Sequence, residues 1–295
     1  MVPVSIGLPV YNDARWVGTA IESLLDQTFT DFELLISDNA STDGTSRICQ
    51  DYARMDRRID YRRHDRNLGI TENHNNVFQR ATGRYFKWAS SNDQCEPRFL
   101  QECFNVLEQR EDVAICFSKC YYVAVNDSSK ELCTDDLNLD SDDPIERLRQ
   151  YLERVTRNNI MYGLIRSRFL RDSGPIKSFP GSDINLLSRL TLYGKFVEVP
   201  EFLFYRRLSP QHQSVTLDMQ LRVHQAYDPS RARLLSFTAW RSIFENFITV
   251  YRAPLHGRDR LRLLQFFCQH SRWQSEALAK EILDIFRVRR ASRGL

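Results

Sequence analysis

Residues 32–45, Phe-Glu-Leu-Leu-Ile-Ser followed by Asp-Asn-Ala-Ser-Thr-Asp-Gly-Thr, join a short apolar run to a polar cluster. An apolar run of this length bounded by turn residues reads as a buried strand, and Ile48, Tyr52 and Met55 then continue at helical spacing. The same unit precedes it. Val4–Val10 is an apolar run closed by Pro9 and Asn12, and residues 14–27 carry Trp16, Val17, Ala20, Ile21, Leu24 and Leu25 at helical spacing. It also follows: residues 59–62 read as a strand, 71–81 as a helix and 85–89 as a strand. Strands alternating with helices predict an α/β fold with a mainly parallel sheet flanked by helices and right-handed crossovers. Ligands of such sheets lie beyond the carboxyl ends of the strands.

Farther on, the pattern predicts a helix over 99–108, a strand from 113 toward 122, helices over 145–156 and 184–193, and a strand over 196–205 whose central Pro200 favours an edge. Residues 127–146, acidic and serine-rich, read as a solvated surface connection. Residues 160–165 read as a buried strand or a loop lining the site. From about residue 216 apolar residues recur every three or four positions. The expected organisation is therefore one domain over 1–215, with halves 1–97 and 98–215, and a C-terminal helical extension over 216–295 ending in four arginines between Arg287 and Arg293.

The 295 residues suffice for a large α/β domain with an appendage. A charged content of 27% beside 42% hydrophobic residues excludes global disorder, and 41 basic against 38 acidic residues give no global signature of nucleic-acid binding. Seven scattered cysteines without CxxC spacing read as free thiols. With the absence of a leader pattern at the first residues, they point to a reducing cytoplasmic setting. No run reaches the length of a membrane span, although the terminal arginines offer a peripheral contact with an acidic lipid surface. The first strand-to-helix turn, Pro9-Val10-Tyr11-Asn12-Asp13-Ala14-Arg15-Trp16, lacks GxGxxG, which argues against a nicotinamide-dependent oxidoreductase.

Both polar clusters fall on one rim of the sheet. There Asp38 can accept hydrogen bonds from a base or ribose, and Tyr11 can pack on a flat ring. Ser41, Thr42 and Asp43 read first as turn and cap residues.

The ordered combination of PVYN (9–12), QTFTDFELLISDNASTDGT (27–45), RNLG (66–69) and ATGRYFKWASSND (81–93), with Pro97 four residues on, resembles the nucleotide-sugar half of the family 2 glycosyltransferases, which have the GT-A fold. A looser likeness runs through Gly181-Ser182-Asp183 to Tyr205-Arg206-Arg207. The resemblance implies an inverting transfer from a nucleotide-diphosphate sugar, UDP- or dTDP-linked by analogy, to a hydroxyl of a saccharide or lipid-linked acceptor. It assigns Pro9, Tyr11, Asn12 and Asp38 to the nucleoside pocket, Asn67, Gly69 and Asn75 to the donor, and Asp183 to the general base. The metal motif falls on Ser90-Ser91-Asn92-Asp93. Only its last acid survives, so Asp93 becomes the ligand of Mn²⁺ or Mg²⁺, with the Asn92 amide beside it. One of Arg206 and Arg207 is expected on the diphosphate. A histidine that relatives carry after this segment is Ser209 here, and His212 follows three residues later. The neutral Ser90 and Asn92 also motivate a second reading, a nucleotide-sugar-binding scaffold with impaired catalysis.

Overall fold

The computed structural model describes residues 2–124, 129–133, 137–208, 226–227, 237–276 and 278–283. Ser209, His212 and the terminal arginines lie outside them. The N-terminal half is a repeated strand–helix unit: β1 (Val4–Val10), α1 (Val17–Leu25), β2 (Phe32–Asp38), α2 (Thr45–Met55), β3 (Ile59–Arg63), α3 (Ile70–Arg80) and β4 (Tyr85–Trp88). All three ladders among these strands are parallel, in the order β3-β2-β1-β4. Each β1 residue is buried, as the unbroken apolar run requires of a strand covered on both faces.

The second half contributes β5 (Gln94–Cys95), α4 (Phe99–Gln109), β6 (Val113–Ala124), β7 (Lys130–Leu132), α5 (Pro144–Arg154), a 3-10 turn (Asn159–Tyr162), β8 (Leu164–Arg166), α6 (Ser167–Ser173), α7 (Ser182–Leu190) and β9 (Lys195–Leu208). Short β8 runs antiparallel to both β4 and β6 and so welds the halves into one sheet. Buried Arg166 at its end donates to the carbonyls of Leu107 (2.8 Å), Arg110 (3.0 Å) and Val113 (3.1 Å), fixing the α4–β6 turn.

Strand β9 is not a bare edge. It follows β6 throughout and pairs on its other side with β5. Pro200 falls in a register shift, because Val199 faces Ser118 while Phe202 faces Lys119, so its missing N–H interrupts no ladder. Residues 127–146 are likewise more than a solvated connection. Leu137 and Leu139 are buried, Leu139 bridges Phe196, and β7 adds to β6. The acids are anchored to bases: Asp140 to Arg110 (2.7 Å), Asp142 to Lys195 (2.6 Å) and Asp143 to Arg262 (2.5 Å). Charge run and buried leucines alternate, and a reading by charge alone registers only the first.

Helices α8 (Thr238–Arg252) and α9 (Gly257–Trp273) confirm helical character in the described part of the extension. They pack on the second half of the domain through a core of Ile145, Leu148, Leu192, Val250, Leu263 and Phe267. Cys49, Cys95, Cys103, Cys116 and Cys268 are free thiols.

Gly7 shows how tightly α3 lies on the sheet. A Cβ there would stand 2.6 Å from Val77 Cγ2 and 2.7 Å from the Phe86 ring. Gly7→Ala is therefore expected to destabilise the fold by about 1–3 kcal/mol, read as a lowered urea midpoint with an unchanged slope.

Candidate active site

Parallel pairing sets Val10 opposite Asp38, so the loops after β1 and β2 leave the sheet together. They are stitched to one another. Asn39 N–H donates to Val10 O (2.9 Å), Asn12 N–H to Ser41 Oγ (3.1 Å) and Asp13 N–H to Thr45 Oγ1 (2.8 Å). Asn12 Oδ1 accepts from Thr42 N–H (2.7 Å), and Asp43 Oδ2 from Ala14 N–H (3.1 Å). Asn12 and Ala40 take positive φ values of 50° and 62°, sparsely used by residues with a Cβ, and this network holds them there. The side chains of Ser41 and Asp43 thus act on the backbone, as their turn reading predicts, while Thr42 bonds to Asn12 Oδ1. Pro9 is buried under the rim, whereas Tyr11 is 46% exposed.

Asp38 is fully buried. Its Oδ1 accepts from Ser41 N–H (2.9 Å); its Oδ2 accepts from Tyr61 (2.8 Å) and from Ser46, with Arg63 at 3.6 Å. Burial pushes its pKa up, but the bonds from Ser41, Ser46 and Tyr61 together hold the carboxyl below the usual value.

Asn39 joins the third loop. Its Oδ1 accepts from Leu68 N–H (2.7 Å), and its Nδ2 donates to Asn67 Oδ1 (2.9 Å) and Gly69 O (3.3 Å). Gly69 opens α3 at φ 90°, a conformation that a side chain would strain. The buried face of α3 carries Thr71, Asn73, Asn75 and Val77. Asn75 pairs its whole amide with the Ile176 backbone, donating to O (2.9 Å) and accepting from N–H (3.0 Å). Asn73, absent from the sequence-based set, donates to Ser37 O (3.0 Å) and Val10 O (3.4 Å), and its buried Oδ1 has no partner among the described residues.

Asp93 is buried, and Arg207 N–H donates to its Oδ1 (2.8 Å). Burial raises its pKa to about 6, against that bond and the charges of Arg206, Lys87 and Arg207. The Arg207 guanidinium lies 3.8 Å above the Trp16 ring and donates to Asn92 O and Ala124 O (both 3.3 Å). Half-buried Arg206 donates to Asn159 Oδ1 (2.5 Å) and to Arg157 O. Ser90 Oγ donates to Asn92 Oδ1 (2.6 Å), and Ser91 Oγ to Asp13 Oδ2 (2.5 Å). Among the described residues no three or more His, Cys, Asp or Glu groups are placed to hold a metal ion together. The donor set therefore fits an ion shared between Asp93 and a substrate phosphate, not an ion caged by the protein.

Asp183 sits in the first turn of α7, behind Gly181 at φ 80°. Its Oδ2 accepts from Asn158 Nδ2 (2.7 Å), and Asn158 Oδ1 accepts from the buried Tyr151 hydroxyl (2.8 Å). Tyr162 joins the two acidic regions. Burial above all pushes its hydroxyl up to about 12, with Arg206 opposing and the charges of Asp93 and Asp183 adding. The His74 pKa is lowered by burial, against its contact with Ile70 O and the charge of Asp183. Tyr227 also feels Asp183 and Tyr162. Lys87, Asn158, Tyr162, His74 and Tyr227 escaped the sequence reading. A lysine inside the buried Tyr85–Trp88 strand was the one signal available for Lys87.

In fold the chain is similar to Staphylococcus aureus TarS 1–349 in complex with UDP-GlcNAc, at TM-score 0.63 and 15% identity over 90% of this chain and 71% of that one. It is also similar to the mannosyltransferase PcManGT from Pyrobaculum calidifontis in complex with GDP-Man and Mn²⁺, at TM-score 0.53 and 12% identity over 95% and 84%. The shared architecture is the GT-A fold. Among curated sequences, the putative glycosyltransferase EpsH of Bacillus subtilis is 29% identical over 143 residues, 48% of this chain and 40% of EpsH. The putative teichuronic acid biosynthesis glycosyltransferase TuaG of the same organism is 33% identical over 107 residues, 36% of this chain and 42% of TuaG. The matches thus span less than half the length of these relatives. Glycosyl transferase family 2 matches residues 5–178, more than half of the sequence, and the chain belongs to that family.

Proposed function

We propose that the protein is an inverting glycosyltransferase that moves one sugar from a nucleotide-diphosphate sugar to a hydroxyl of a saccharide or lipid-linked acceptor, with Asp183 as general base. The observation carrying this reading is Tyr162, which feels both the acid beside the Arg206-Arg207 pair and the acid at the start of α7. A reacting sugar between those regions would have a diphosphate anchor on one side and a proton acceptor on the other.

Pro9, Tyr11, Asn12 and Asp38 form the nucleoside rim, with Asn67 and Gly69 beside it. Asp38 shapes the pocket through its internal bonds, and Tyr11 offers an exposed ring for stacking on a base. UDP and dTDP are the favoured nucleotides. Asn158 fixes one oxygen of Asp183, so the other, Oδ1, takes the acceptor proton as the hydroxyl oxygen attacks the anomeric carbon opposite the departing diphosphate. Asp93, with Asn92 beside it, would hold a divalent ion, which when bound neutralises charge on the diphosphate. Arg206 is the guanidinium we assign to the phosphates, because buried Arg207 is occupied with the Asn92 and Ala124 carbonyls and Trp16.

Among the described residues no helix is long and apolar enough to cross a membrane. We place the protein in the cytoplasm, with a peripheral lipid contact through the terminal arginines where the acceptor is lipid-linked. The scaffold reading draws on neutral Ser90 and Asn92. Hydrolysis of a nucleotide sugar by the purified protein separates the two, since a scaffold leaves the donor intact.

Asp183→Asn is expected to lower the transfer rate by at least about 100-fold while leaving the melting shift caused by nucleotide unchanged. A full transfer rate in this variant removes Asp183 from the base role. Asp38→Asn is expected to cost about 1–3 kcal/mol of stability at pH 7. Because the folded pKa of Asp38 is depressed, its contribution is present above the ordinary value of 3.8 and disappears as the pH falls through the folded value. Denaturant midpoints of the two proteins should therefore converge in acid.

A further inference from the structure

The buried ammonium of Lys87 has no place in the reaction just described. It lies 4.3 Å from the Phe99 ring centroid and 5.3 Å from that of Phe204, and it donates to Tyr162 O. Beside it is a small cavity of about 10 Å³ lined by Ser23, Lys87, Ser90, Asp93 and Cys95. A cavity of that size barely reaches the volume of one water. A hydrated divalent ion has no room on this side of Asp93.

Lys87, Arg206 and Arg207 all act electrostatically on Asp93. Three fixed cations thus face the single carboxylate of Asp93, while Asp13, which accepts from Ser91, feels Arg207 and Asp43. Ser90 and Asn92 add no charge and are hydrogen-bonded to each other. Such a site repels a free divalent ion and attracts a diphosphate. Arg206 is already oriented by Asn159 Oδ1 and Arg157 O, with its guanidinium 5.6 Å from the Tyr162 ring.

We propose that Lys87, Arg206 and Arg207 supply the counter-charge for the donor's diphosphate, so that nucleotide diphosphates bind this protein without a divalent ion. The inference rests on the nucleotide-sugar reading above. Lys87 and Arg207 act through space from fixed positions, and Arg206 contacts the phosphate oxygens through its paired N–H groups. An ion joins only after the phosphates supply the rest of its ligands.

The test is binding of UDP, dTDP, GDP and CDP by calorimetry and thermal unfolding, once in excess EDTA and once with Mn²⁺. At least one nucleotide should bind in EDTA within about threefold of its Mn²⁺ dissociation constant. Arg206→Gln should weaken that EDTA binding about tenfold or more, and Arg206→Lys should recover part of it. Lys87→Met should weaken it too; should that variant fail to fold, half-buried Arg206 still decides the matter. Binding that requires Mn²⁺ overturns the proposal and leaves the glycosyltransferase reading standing. Binding in EDTA that Arg206→Gln leaves intact also overturns it. No binding of any nucleotide in either condition overturns the nucleotide-sugar reading itself, and this inference with it.

Discussion

Val10 and Asp38 face each other across the last rung of the β1–β2 ladder, and the site grows from that register. A slip of one residue would turn the side chains of β2 to the other face and carry Asp38 away from Tyr61 and Ser46. With the register fixed, the two following loops bond to each other, Asn39 extends the network to Asn67 and Gly69, and α3 starts where that third loop ends. The rim is therefore a polar lattice of backbone amides and short side chains, hung on strands that are almost wholly buried. Asn12, Asp38, Asn67 and Asn75, all assigned to substrate binding by sequence, are first of all hydrogen-bonded within the protein.

The second half is joined to this rim by less regular means. β8 is three residues long, yet it pairs with strands on both sides, and the 3-10 turn before it carries Tyr162. Asn158, just ahead of that turn, takes φ 53° and bonds Tyr151 on one side and Asp183 on the other. A local backbone strain is thus held in place by the hydrogen bonds that orient the proposed base.

The alternating units of the first hundred residues were legible because strand and helix periods differ and the turns carry their own chemistry. Asp38 was legible as the polar end of a buried apolar strand, whereas Asp93 and Asp183 were singled out by the family resemblance. Lys87, Asn73 and Tyr162 were not. Lys87 meets the Tyr162 carbonyl, and Asn73 meets those of Val10 and Ser37, all far off in the sequence, and no local period encodes those meetings. The same limit explains residues 127–146, where two leucines buried against β9 are outnumbered by surrounding acids.

Asn75 and Ile176 hold each other through two hydrogen bonds inside the protein, and they belong to different halves of the chain. Separating the halves would strand a donor and an acceptor on each side of the break, away from water. The two halves are therefore pinned to each other at this point, and any hinging apart there must first break both bonds.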